Sequence, residues 1–162
     1  KRLELEAKEL KNYRSEFFGR LRNILGERQG VLIVGDRFVF SSEVLFESGS
    51  EMLGMDGKKQ LSKVATVIKE VASEIPKNLN WILRVDGHTD ITPLTVNSKF
   101  SDNWELSQAR ALSVVKFLIK QEQIPANRLA ATGFGEFQPI TQNTSSDGLA
   151  KNRRIELKLT EK

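Results

Sequence analysis

Two residues in the segment RVDGHTDITPLTVNSKFSDNWELSQAR, residues 84–110, have the types and spacing to grip a ligand: Asp90 and Arg110. Asp90 follows the carboxyl end of a β-rich run, and Arg110 sits on the helical pattern that comes next. An acid at a strand end and a base on the following helix flank one pocket. A ligand carrying both an ammonium and a carboxylate satisfies both. Asn103, Leu106, Arg110 and Val114 are spaced three and four apart and so share one helical stripe. Between Leu106 and Val114 an arginine is partly desolvated, and it needs either a carboxylate partner or a ligand. The residues alone leave two readings open. One is a structural salt bridge between Asp90 and Arg110; the other is a pocket, lined by backbone amides of the 87–90 turn, into which both point.

Other chemistry is weaker. Asp86, His88 and Asp90 form D-x-H-x-D, and on an extended strand the three share a face with oxygen and imidazole donors suited to zinc or manganese. Gly87 is expected to end the strand there, which breaks that face, so no metal or other cofactor is expected. Gly133, Phe134 and Gly135 make a lone G-x-G with no third glycine and no helix behind it, which turn geometry explains. Ser107 and His88 offer a nucleophile and a base, but nothing orders a third member, and a non-catalytic protein is expected.

The elements that must position the pair read off in order. Residues 2–26 carry Leu3, Ala7, Leu10, Arg14, Phe17, Leu21 and Ile24 at alternating spacings of four and three, a heptad seam ended by Gly26 and Gly30. The seam fits either the end of a coiled-coil spacer supporting a homodimer or a helix packed on its own domain. VLIV-GD-RFVF is a hairpin signal. Residues 41–55 read as a connecting loop with Phe46 its buried anchor. A helix opens at Asp56 or Gly57 and stops at Pro76. The strand NWILRVD, a helix over 103–121 burying Trp104, Ala111, Val114, Val115 and Leu118, and a strand over 128–134 follow. QNTSSDG belongs to a long irregular loop, and the last strand, 153–159, alternates Ile155, Leu157 and Leu159 with Arg154, Glu156 and Lys158. The fold class is therefore an α/β (α+β) two-layer sandwich of ββαβαββ order. A mixed sheet carries helices on one face and is open to water on the other, with the N-terminal helix in front. The division is residues 1–29 as helical spacer and 30–162 as the domain.

A chain of 162 residues with 39% hydrophobic and 28% charged residues suits one globular domain. The net charge of +4 is spread among interleaved acids and bases, which argues against nucleic-acid binding. No apolar run reaches the ~18–20 residues that span a bilayer. Because residue 1 is Lys, a targeting or tethering segment is expected upstream. The absence of cysteine removes disulfides and thiolate chemistry.

Four blocks in order, VDGHTD (85–90), NWELSQARA (103–111), GFGEFQP (133–139) and NRRIEL (152–157), resemble the OmpA-like peptidoglycan-binding family, which includes Pal lipoproteins and the flagellar stator protein MotB. The resemblance covers about residues 31–159, and its wording is nearer the MotB branch. It implies a periplasmic module of the Gram-negative envelope that anchors a membrane-tethered protein to peptidoglycan without catalysis. By the resemblance, Asp90 and Arg110 grip the diaminopimelate of the stem peptide. Thr89 and Asn103 match the family's residues around the pocket, which Leu106 borders on the Arg110 stripe, and Asn152, Arg153 and Arg154 match the NRR block. The chain departs from the family pattern at 91–102, a longer loop opening on apolar Ile91, so loop contacts do not carry over. The rival readings are a stator subunit and a metal-dependent cell-wall hydrolase acting through Asp86, His88 and Asp90.

Overall fold

The computed structural model describes residues 2–25 and 30–162. Its elements are α1 (Arg2–Leu25), β1 (Val31–Val34), β2 (Arg37–Ser41), α2 (Ser42–Leu45), α3 (Met55–Glu74), β3 (Trp81–His88), α4 (Asn103–Lys120), β4 (Leu129–Gly133), α5 (Ser146–Asn152) and β5 (Arg154–Glu161). One five-stranded sheet has the order β1-β2-β5-β3-β4, antiparallel except where β3 and β4 run parallel. The mixed sheet and one-sided helices are those read from the sequence. Phe38, Phe40, Leu83, Ile155 and Leu157 from the sheet, with Leu61, Val64 and Val71 of α3 and Ala111, Val114 and Leu118 of α4, form the core. Among the described residues no helix is long and apolar enough to cross a membrane.

The N-terminal helix belongs to this core. Leu10, Phe17 and Leu21 of the heptad seam are buried together with Phe18 and Leu25, and Phe18 stacks on Phe38 with centroids 6.4 Å apart. Arg14 Nε donates to Leu159 O at 2.8 Å, tying the helix to β5. Ala7 is exposed and Ile24 largely so. The apolar stripe is thus rotated off the heptad and turned inward, and from residue 10 onward it packs on its own domain. Buried side chains between residues 10 and 25 share one core with the sheet. Leu3 lies outside the residues whose side chains are described, and Gly26, expected to end the helix, lies outside the described residues.

Four local expectations change. β3 runs through Gly87 to His88, where Gly87 pairs with Ile155 and His88 with Arg154. A Cβ on Gly87 would stand 2.2 Å from Ser107 O, and one on its neighbour Gly133 would stand 2.6 Å from Gln108 N. Both glycines therefore serve close approach of α4 to the sheet rather than a turn. Residues 41–55 contain the short helix α2, and an isolated bridge between Phe46 and Leu53 closes the segment over buried Phe46. The QNTSSDG run contributes the start of α5, whose N-cap Ser145 accepts from Gly148 N. Seven residues with an internal glycine show no legible period. Trp104 is 51% exposed and stacks on Phe137 at 4.9 Å instead of entering the core.

The sheet's outer face is also not simply open. Arg154 and Glu156, expected in water, are buried there beside Asp86 and His88. Arg84 holds Asp86 at 2.8 Å, while Arg154 and Arg37 hold Glu156 at 2.6 and 2.7 Å. Burial of these charges is tolerated because each is paired.

Candidate functional site

At the carboxyl end of β3 a cleft of about 550 Å³ opens between α2, the segment after it, the 89–94 stretch and the first turns of α4. Asp102 positions α4 by capping it, accepting from Glu105 N at 2.9 Å, while Glu105 accepts from Ser101 N at 3.1 Å. Helical spacing then carries Asn103, Leu106 and Arg110 into the cleft wall. Asn103 Nδ2 reaches Asp90 O at 3.3 Å, Thr92 O at 3.2 Å and Glu136 Oε1 at 3.3 Å, and so holds the start of the 91–102 loop. Thr89 N donates to Gly135 O and Thr89 Oγ1 to Asp90 O, both at 2.9 Å.

Asp90 does not pair with Arg110. Its Oδ1 accepts from Thr92 N at 2.8 Å and its Oδ2 from Arg153 Nη1 at 2.6 Å. Arg153 also holds Glu43 Oε1 at 2.7 Å, and these bonds raise its pKa against the desolvation that opposes them. Arg110, 6% exposed, lies with its guanidinium carbon 5.3 Å from the centroid of Phe46 and spends only Nε, on Ser50 O at 3.0 Å. Among the described residues no carboxylate oxygen comes within 4.0 Å of it, and its two terminal nitrogens have no protein partner. Burial pulls its pKa below the ordinary guanidinium value, with Glu43 and Asp90 opposing and Arg153 adding to the fall. The cleft therefore presents a desolvated, uncommitted fork beside a prebuilt chain of Asp90, Arg153 and Glu43.

The structure brings Thr89, Asp90, Asn103, Leu106, Arg110 and Arg153 together around this cleft. Asn152 and Arg154 fall elsewhere. Asn152 is a buried clasp, accepting from Ile140 N at 2.8 Å and Thr141 N at 3.2 Å while donating to Thr141 O at 3.0 Å. Arg154 points to the outer face because strand alternation opposes neighbours, bonding Glu156 and Gln138 O. The end of β3 at His88 separates the D-x-H-x-D set. Asp86 and His88 belong to the outer face, Asp90 lies in the cleft, and the described residues hold no cluster of three metal donors. Ser107 is occupied by Trp104 O and Gly135 N at 3.0 and 2.9 Å. Sequence reasoning missed Glu43, which lies over a hundred residues from its partner Arg153; no local pattern announces such a pair.

Comparisons with known proteins place this architecture. The OmpA family model matches residues 45–153. Motility protein B of Bacillus subtilis (strain 168) is 30% identical over 129 residues, covering 80% of this chain and 44% of that protein. The chain spans about half the length of the curated relatives it matches. Among solved structures, a putative MotB like protein from Desulfovibrio vulgaris superposes with a TM-score of 0.80 at 25% identity, over 100% of this chain and 97% of that one. The cell wall anchor of the T6SS from Pseudomonas aeruginosa superposes at 0.71 and 27% identity, over 85% and 92%. With four sequence blocks, the sheet order and the cleft in agreement, the chain belongs to the OmpA family and is similar to its MotB-like members.

Proposed function

We propose that this domain binds peptidoglycan non-covalently in the periplasm and anchors to the wall a protein whose membrane tether lies outside the sequence given. The reading rests chiefly on Arg110: a buried guanidinium with two free terminal nitrogens facing a cleft is a carboxylate receptor in waiting. The solved cell wall anchor among its structural relatives supports the same reading.

The ligand group is the zwitterionic end of diaminopimelate in the stem peptide. Its carboxylate takes the Arg110 fork in bidentate fashion. Its ammonium takes the Asp90 and Glu43 carboxylates, which keep lone pairs beyond those Arg153 uses. Arg110 and Arg153 line the cleft with the carboxylates of Glu43, Glu47 and Asp90, so a zwitterion leaves the balance unchanged where a simple anion would add to the negative charge. The domain acts by binding and leaves the polymer intact. Titration of a diaminopimelate stem peptide and of its lysine analogue tests this. The lysine peptide lacks the distal carboxylate and binds at least tenfold more weakly, one decade being about 1.4 kcal/mol. Equal affinities, or release of soluble muropeptides from sacculi by the pure protein, refute it.

The motility proteins among the relatives favour a narrower reading, a stator subunit held still against the wall. A carboxylate on a transmembrane helix of the full-length protein separates that role from a passive anchor.

A further inference from the structure

On the far side of the sheet from the cleft lies a second cavity, of about 460 Å³. β5 and the end of β3 supply Arg154, Glu156 and His88, β2 supplies Arg37, and the 134–140 segment closes it with Phe134 and Ile140. The proposed peptidoglycan site uses none of these residues. His88 is 3% exposed and lies flat on Phe134, with centroids 5.0 Å apart and planes 4° from parallel. Neither ring nitrogen has a hydrogen-bond partner among the described residues, although buried polar groups are nearly always partnered. Glu156 does not serve: its Oε1 stands 3.8 Å from His88 Nε2, beyond hydrogen-bond distance.

The charges show what is wanted. Arg84 is answered by Asp86, and Lys158 by Asp36 at 3.5 Å. Arg37 and Arg154 share the carboxylate of Glu156, and Arg37 Nε also stands 3.6 Å from Asp36, so the four cations Arg37, Arg84, Arg154 and Lys158 meet three carboxylates and one positive charge is in excess. Arg154 commits each of its three nitrogens, to Glu156, Asn152 O and Gln138 O. Arg37 commits Nη1 to Glu156, while its Nη2 has no protein partner among the described residues. Around this polar floor the wall is apolar: Val34 and Ile140 are half exposed and Val39 is buried. One spare positive charge, an unpartnered imidazole and a hydrocarbon rim fit a monoanion with an apolar body better than a dianionic phosphate. No cluster of three metal donors forms among the described residues, which leaves the imidazole for hydrogen bonding.

We propose that this outer-face cavity is a second binding site, for a small carboxylate with a branched hydrocarbon body received by Arg37 and His88. Such a group occurs as a free acid or as the carboxyl end of a peptide. His88 is the only histidine in the chain, so its imidazole resonances report occupancy without ambiguity. The probes are isovalerate for the free acid, N-acetylvaline for a peptide end and isovaleramide as the uncharged control.

Isovalerate or N-acetylvaline shifts the His88 signals saturably and isovaleramide does not. The tighter of the two acids identifies the source, and either result supports the site. Arg37→Met and Ile140→Glu, both at partly exposed positions, each weaken the acid at least tenfold. Both variants retain their circular dichroism and their binding to sacculi, which separates this site from the cleft. An equal response to the amide, no saturable shift with either acid, or unchanged binding in a folded Arg37→Met overturns the proposal.

Discussion

Arg153 Nη1 stands 2.6 Å from Asp90 Oδ2, and the same guanidinium reaches Glu43 Oε1 at 2.7 Å. The acid that sequence spacing set opposite Arg110 is therefore already answered, by a residue 63 positions further along the chain. This pairing settles how the cleft stays folded without ligand. Asp90 is buried yet paired, while the two terminal nitrogens of Arg110 have no protein partner among the described residues. A binding site assembled this way separates the group that holds its shape from the group that waits.

Arg153→Met tests that division of labour. It leaves Asp90 buried with one backbone partner and frees Glu43, so stability falls by about 1–3 kcal/mol, the cost of an unsatisfied polar group. Arg153 is about one-third exposed, which places the loss toward the lower end. Arg110→Met instead removes a buried cation with no carboxylate partner, so folding is little affected while stem-peptide binding drops at least tenfold. Urea denaturation beside peptide titration distinguishes the two. Equal stability losses in both variants contradict the assignment.

Arg110→Lys separates shape from charge. An ammonium retains the positive charge but cannot offer the planar fork or lie flat against Phe46. Binding of the diaminopimelate peptide falls nearly as far as in Arg110→Met. A lysine variant with full affinity would show that charge alone suffices.

Much of this arrangement was legible in the chain because local periodicity governs it. The stripe of Asn103, Leu106 and Arg110, the alternation of Ile155, Leu157 and Leu159, and the VLIV-GD-RFVF hairpin all rest on neighbours in sequence. What escaped depends on distance in sequence. Glu43 meets Arg153 across 110 residues, and Gly87 is required by the backbone of Ser107 rather than by a turn. The heptad seam of α1 was readable as a stripe, but its partner, the sheet and α3 of the same domain, is a tertiary fact.

Gly87→Ala measures that backbone contact. Its Cβ would sit 2.2 Å from Ser107 O, against a carbonyl of α4 that cannot swing aside like a flexible side chain. Overpacking of this kind costs about 1–3 kcal/mol or more, and it lifts the helix that carries Asn103 and Arg110. Both the denaturation midpoint and peptide affinity fall together. A Gly87→Ala protein of unchanged stability would mean that α4 moves away freely.

Phe17→Ala tests where α1 belongs. Phe17 is fully buried among core residues and touches the Phe18–Phe38 aromatic group, so its truncation costs about 3–5 kcal/mol within the monomer. The loss is independent of protein concentration. A dimeric seam would instead make stability rise with concentration. Chemical denaturation at two concentrations a hundredfold apart, with sedimentation velocity, decides between them.

His88 makes the stability of the domain depend on pH in a defined window. Burial lowers its pKa to about 4, with repulsion from Arg154, Arg37 and Arg84 adding to the fall and Glu156 opposing it. In the unfolded chain the imidazole titrates near 6.5. Because the folded value is the lower one, the unfolded state binds more protons between these two values, and stability rises with pH there. The contribution is complete above about 6.5 and is lost as pH falls toward about 4, up to roughly 3 kcal/mol at ~1.4 kcal/mol per pKa unit. Glu156 and Glu43, whose pKa values are depressed below the ordinary carboxylate value, act at lower pH: their contribution is lost as pH falls through that range. Asp86, raised mainly by desolvation, acts in the opposite sense. The histidine window is thus separable from the carboxylates. His88→Gln removes the titrating group while keeping a neutral polar side chain. Urea midpoints at pH 7, 6, 5 and 4 show a steep decline in the wild-type protein and a flatter one in His88→Gln down to about pH 5, with the two converging in slope below pH 4. Parallel slopes across pH 6.5–4 would show that His88 is protonated, or hydrogen-bonded by solvent, in the folded state.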